Sequence, residues 1–164
     1  MKTKPIAKIY VGIDPAMREK GFRICCIDTT DNTAVFKKFK AFKDFIYWVL
    51  QDAPSKDECI FCVENSNLIN ANFDMKGSAA VLARKARCVG MNQAVSQITV
   101  DILTANGFLV VDLSPKEKGV KFTDHIFRST AKSEGHKVPK VVSQDDRDAY
   151  KLALLARQKS YLAK

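Results

Sequence analysis

The sequence predicts an α/β protein with a mixed five-stranded sheet flanked by helices. Three observations predict it. The first forty residues hold three short apolar runs separated by tight turns, the pattern of an antiparallel meander. Two later apolar runs, 58–64 and 108–113, are separated by a long helical stretch, an order that makes a mixed sheet flanked by helices. The chain then closes on a helix rich in alanine and leucine, suited to packing against a sheet.

In order, Lys8 to Asp14 is the first strand and Gly21 to Asp28 the second. Asn32 to Phe39 is the third, entered by the turn Thr30-Asp31-Asn32. Ala41 to Gln51 is helical, with Phe42, Phe45, Ile46 and Val49 on one face and Pro54 beyond its end. Glu58 to Glu64 is the fourth strand, apolar throughout as in a strand buried on both faces. A long helix runs from about Met75 to Asn106. Its first half is small, with Gly77, Ser78, Ala79, Ala80, Ala83 and Ala86. Its second half offers Val95, Ile98, Ile102 and Leu103 to the core, and Asn106-Gly107 stops it. Phe108 to Leu113 is the fifth strand, followed by a Lys-rich loop from Ser114 to Lys121. Phe122 to Thr130 is a short helix. Ser133 to Val142, with Gly135 and Pro139, is expected to be irregular and mobile. Ser143 starts a terminal helix reaching about Ala163.

At 164 residues the chain is most simply one domain, 1–164, around one sizeable core. Its 46% apolar and 27% charged residues are those of a folded globular protein. The net charge of +9, from 27 basic and 18 acidic residues, favours a polyanionic partner, although a merely soluble basic protein carries the same charge. No apolar stretch approaches the ~20 residues that span a bilayer. Met1-Lys2-Thr3-Lys4-Pro5 leads into the first strand without a hydrophobic signal region, so a cytoplasmic protein is expected. Of five cysteines, Cys25, Cys26, Cys59 and Cys62 lie in apolar runs and Cys88 in a helical one, which reads as reduced, buried thiols. Cys59 and Cys62, three apart on a strand, face opposite sides of the sheet and make a poor zinc pair.

Four carboxylates stand out against this basic background. Asp14 ends the run Ile9-Tyr10-Val11-Gly12-Ile13, and Glu64 ends Ile60-Phe61-Cys62-Val63. Asp145 and Asp148 open the terminal helix and share one of its faces. A carboxylate at the rim of a buried sheet must be paired or bound to a cation. Hard divalent cations take oxygen ligands of this kind. An acid-rich first turn is also common in ordinary helices, where the dipole favours it. Asp146 has a local task, because Ser143 as N-cap and an acid three residues later form a capping box.

Taken together, Gly12-Ile13-Asp14-Pro15 after a strand, Val63-Glu64-Asn65 after a later strand and Asp145-x-x-Asp148-Ala149 opening the last helix resemble the RuvC family of Holliday-junction resolvases. So does the long helix after the second acid, with Arg84-Lys85-Ala86-Arg87 followed by Val89-Gly90. The resemblance covers most of the chain. It implies a ribonuclease H-like fold and a homodimer that cuts four-way or branched DNA, with no nucleotide cofactor and no membrane partner. It makes Asp14, Glu64, Asp145 and Asp148 the ligands of two Mg²⁺ or Mn²⁺ ions per active site. Such an ion pair activates water and stabilises the leaving oxygen of a phosphodiester. The family carries functional lysines after the fifth strand, which here implies Lys121 first and Lys118 second. A solvated basic loop is the plainer alternative.

DNA affinity is expected from Lys76, Arg84, Lys85 and Arg87, in a stretch from Met75 to Val100 that holds no acid, and from Lys116, Lys118 and Lys121. Lys37, Lys38, Lys40 and Lys43 form a further basic group, equally readable as a solvated face. One departure concerns the aromatic residue that resolvases place soon after the second acid. Here the nearest is Phe73, with Leu68 as the other candidate wedge, and either residue suits the core as well. Two other readings stay open. A ribonuclease H-like nuclease acting on RNA–DNA hybrid or branched DNA would use the same acids. A non-catalytic nucleic-acid-binding domain would need none of them.

Overall fold

The computed structural model describes residues 7–15, 22–68 and 76–160. The sheet is built from β1 (Ile9–Asp14), β2 (Phe22–Asp28), β3 (Thr33–Phe39), β4 (Cys59–Glu64) and β5 (Leu109–Leu113). Its strand order is β3-β2-β1-β4-β5. The first three strands are antiparallel neighbours, while β4 lies parallel to β1 and β5 parallel to β4. This is the mixed five-stranded α/β sheet that the apolar runs predict.

Alternation along the strands divides the core into two layers. Val11, Ile13, Phe61 and Val63 face a cluster with Phe45, Trp48 and Val49 of α1 (Phe42–Gln51) and with Val95 and Leu103 of α2 (Ala79–Ala105). Cys25 and Ile27 face the opposite layer, with Ala149, Tyr150 and Ala153 of α5 (Gln144–Ser160). Tyr10, Ile60 and Cys62 meet Leu152 and Ala156 of the same helix. Cys59 and Cys62 accordingly lie in different layers.

Gly12 sets how closely α5 approaches. A Cβ on it would stand 1.9 Å from the Ala149 carbonyl oxygen and 2.4 Å from the Ala153 amide nitrogen. The helix backbone therefore rests directly on β1, a contact open only to glycine.

Several expectations need correction. The segment after β5 is not all loop: Pro115–Lys118 forms one helical turn, α3, capped by Ser114 and Glu117. The following helix, α4, covers Asp124–Glu134, so Ser133 and Glu134 are helical. Residues 136–142 are irregular but pinned, because Arg128 donates to the Pro139 and Lys140 carbonyls and Ala34 N–H to the Lys137 carbonyl. In α2, Ile98 is exposed, and Ser96 and Thr99 are buried in its place. Their hydroxyls are satisfied within the helix, by the carbonyls of Asn92 at 2.8 Å and Val95 at 2.7 Å. Cys88 is exposed. The expected helix start at Met75, the Phe73 candidate and Ala163 lie outside the described residues. Among the described residues, no helix is long and apolar enough to cross a membrane.

Candidate active site

The acids meet because of the sheet order. β1 and β4 are parallel neighbours with Ile13 beside Val63, so Asp14 and Glu64 leave the sheet side by side at its carboxyl edge. Gly12, Cys25 and Cys62 contact or cluster toward α5, so alternation puts Asp14, Arg23 and Glu64 on that face as well. The first turn of α5 lies over the same edge.

Lys118, from the turn after β5, fills the middle. Its Nζ lies 3.5 Å from Asp14 Oδ2 and forms an ion pair with Glu64 Oε2. The side chain is only 6% exposed. Burial alone would lower the ammonium's pKa, but Asp14 and Glu64 together outweigh it and raise it. Burial pushes Asp14 up to about 6, with the charges of Glu64 and Asp148 adding and Lys118 opposing. Asp14, Glu64 and Asp148 thus share one field, and a single buried ammonium does not neutralise three carboxylates.

Asp148 is buried and oriented. Gln144 Nε2 donates to its Oδ1 at 3.0 Å and to the Phe122 carbonyl at 3.2 Å. Lys121 Nζ stands 3.7 Å from its Oδ2 with a side chain 68% exposed. Asp145 is half-buried, and its side chain makes no hydrogen bond or ion pair among the described residues. Asp146 is turned into the structure. Its Oδ2 accepts from the Ser143 amide and hydroxyl, both at 2.8 Å, and the Ser143 hydroxyl accepts from the Asp146 amide. Arg23 Nη1 donates to both Asp146 oxygens, at 2.8 and 3.1 Å.

Arg23 was not among the residues that the sequence singles out. It is the register partner of Asp14 on β2, and its ion pair clamps the first turn of α5 onto the sheet. The available signal was an arginine interrupting the apolar run Phe22-Arg23-Ile24-Cys25. Asn65 is a second such residue. It is buried next to Glu64, and its Nδ2 donates to Gln97 of α2 at 3.3 Å and to Asp112 of β5 at 3.2 Å.

Of the two expected lysines, Lys118 sits among the acids and Lys121 at their rim. Buried Lys118 is therefore not a surface contact for DNA, whereas Lys76, Arg84, Lys85, Arg87, Lys116 and Lys121 are exposed. Leu68 is exposed in the short 3₁₀ turn Ser66–Leu68 after Glu64.

The donor set is all oxygen and carries excess negative charge, which fits a hard divalent cation in chemistry. In spacing, no three His, Cys, Asp or Glu side chains among the described residues stand close enough to hold a metal ion. Asp14 and Glu64 are paired with the Lys118 ammonium, and Asp148 with Lys121. No protein-family model matches the chain, and no curated protein matches it.

Proposed function

We propose that the protein is a divalent-metal-dependent endonuclease that resolves four-way DNA junctions, working as a homodimer in the cytoplasm. The observation that supports the reading is the pairing of Asp14 and Glu64 with one buried lysine at the carboxyl edge of parallel strands, with Asp148 close enough for its charge to act on Asp14. Asp14, Glu64, Asp145 and Asp148 are the residues that would hold Mg²⁺ or Mn²⁺, two ions per site. Bound there, the ions would supply an activated water and a counter-charge for the leaving oxygen. A cation bound there would compete with Lys118 for Asp14 and Glu64. Lys118 then has a second task open to it, balancing charge that develops on the phosphate. Lys121, at the rim, is suited to holding a neighbouring phosphate.

Two symmetric nicks need two sites related by a two-fold axis. The exposed small-residue half of α2, with Ala79, Ala80, Ala83 and Ala86, is the surface we assign to the second copy. The same half carries Arg84, Lys85 and Arg87 for DNA backbone contact.

The test is incubation of wild type and Asp14→Asn with labelled four-way junction, linear duplex and RNA–DNA hybrid, in Mg²⁺ or in EDTA. Wild type should cut the junction in Mg²⁺ alone. Asp14→Asn should lose cleavage and keep junction binding. Cleavage in EDTA, or by the pure variant, would remove the metal mechanism. Preferential cutting of hybrid would move the protein to the ribonuclease reading.

A further inference from the structure

We propose that Lys118 couples the loading of the cation site to the arrival of a phosphate. Its ammonium fills the place beside Asp14 and Glu64, leaves it as a divalent ion enters, and passes to a phosphate of the bound nucleic acid. The inference rests on the nuclease reading above and adds a control on when the site fills.

Lys118 is the one buried lysine among the described residues. Lysine seldom goes inside a protein unless it is paired. Here it is paired twice, with carboxylates from two neighbouring parallel strands. The place that a cation would take is thus held by a positive charge of the chain's own. The spacing agrees. Mg²⁺ takes its oxygens at about 2.0–2.1 Å. Asp14 Oδ2 stands 3.5 Å from the Lys118 nitrogen, and no three acids among the described residues are close enough to share an ion. Asp14 must draw in for an ion, and an ammonium in the same place repels that ion. The rest of the site has no such plug. The Asp145 side chain has no hydrogen bond or ion pair among the described residues, and the Lys121 that faces Asp148 is 68% exposed.

The mounting of Lys118 is rigid where its side chain is not. It ends α3, whose cap is made in both directions. The Ser114 hydroxyl accepts from the Glu117 amide at 3.2 Å, and Glu117 Oε2 accepts from the Ser114 amide at 2.9 Å. Glu117 Oε1 accepts from Lys159 of α5 at 3.2 Å, and the Lys118 amide donates to the Ser114 carbonyl at 3.0 Å. Displacement therefore falls to the flexible four-carbon stem rather than to the chain.

Coupling follows from that arrangement. A ligand binds more weakly when the state that accepts it is only fractionally populated, and here that state has Lys118 displaced. Displacement costs an ammonium its two partners. A phosphate at the mouth of the site supplies a new one, so ion and phosphate each favour the other by the same factor.

The test reads binding, with Ca²⁺ as the probe ion and the DNA checked to stay intact. Lysines of the full chain are acetylated briefly and located by mass spectrometry. Lys118 should be protected in EDTA and become reactive in Ca²⁺, while exposed Lys132 on α4 stays unchanged. By calorimetry without DNA, Lys118→Met should bind Ca²⁺ about tenfold more tightly than wild type. Four-way junction should tighten Ca²⁺ binding to wild type about tenfold and to the variant by less than about twofold. Ca²⁺ binding with Lys118 still protected would overturn the inference, and this arm stands on wild type alone if the variant does not fold. Equal Ca²⁺ affinity in a folded variant, or equal tightening of both proteins by DNA, would overturn it as well. If wild type cuts junctions in Mg²⁺ while Lys118 stays protected, only this inference falls. If Ca²⁺ releases Lys118 but no DNA is cut in Mg²⁺, the plug stands and the nuclease reading falls. Absence of Ca²⁺ binding by both proteins would remove both.

Discussion

α5 and the first half of α2 are built on opposite terms. α5 buries Asp146, Asp148, Ala149, Tyr150, Leu152, Ala153, Leu154, Ala156 and Ser160, and it packs on β1, β2 and β4. α2 is longer, yet its four buried residues, Val95, Ser96, Thr99 and Leu103, all lie in its second half. From Ala79 to Ala94 no side chain is buried, and Gly90 has nothing within 4 Å of where a Cβ would be. One helix holds acids in place against a sheet. The other holds arginines out toward whatever approaches. Chemistry needs fixed spacing between groups, whereas phosphate contact needs reach.

That contrast can be broken where α5 meets the sheet. Arg23→Ala leaves Asp146 buried without its cation, and breaking such a pair costs about 3 kcal/mol, with the partial exposure of Arg23 keeping it near the low end. Chemical denaturation should show the loss. A stability change under about 0.5 kcal/mol, the ordinary surface range, would mean that α5 is not clamped there.

The second measure is pH. Asp14 has its folded pKa raised, to about 6, so the folded state binds its proton more tightly than the unfolded state does. The ionised carboxylate therefore weakens the metal-free fold above pH 6, and the penalty disappears as pH falls toward its ordinary value of 3.8. Above pH 6, Asp14→Asn should melt higher than wild type in EDTA. The gap should close between pH 6 and 4. A gap independent of pH would show that Asp14 is not strained by its neighbours.

The smallest effect on the fold belongs to α2. Arg84→Ala, Lys85→Ala and Arg87→Ala together should leave stability within about 0.5 kcal/mol, since these side chains are exposed. They should flatten the salt dependence of DNA binding by roughly 0.9 for each phosphate that is no longer neutralised. A large stability loss would show that these three side chains are packed rather than held out for DNA. An unchanged salt slope would remove it from the DNA surface.

How much of this was legible depends on how local the cause is. The two central strands were readable because Ile9-Tyr10-Val11-Gly12-Ile13 and Ile60-Phe61-Cys62-Val63 are apolar without interruption, a property of each segment alone. The Ser143–Asp146 cap was readable for the same reason, since both partners lie within one turn. The core face of α2 was misjudged at Ile98, because apolar periodicity cannot register hydroxyls that bond their own helix, as Ser96 and Thr99 do. The burial of Lys118 was not legible at all. It depends on carboxylates 104 residues away in sequence at Asp14 and on β4 at Glu64, which only the parallel pairing of β1 with β4 brings to it. Arg23 escaped notice because its partner, Asp146, lies 123 residues downstream.

Gly12 has a consequence for mutational tolerance. Asp14 lies two residues beyond it on β1, and Ala149, whose carbonyl presses on it, adjoins Asp148. The depth at which two of the acids face each other is therefore set by a missing methyl group. A random search for inactive variants should return Gly12 alongside the carboxylates, although Gly12 has no side chain with which to touch a substrate. Restoring such a variant would require trimming the helix face opposite it. Ala149 and Ala153 are already alanines, so the chain has almost nothing left there to remove.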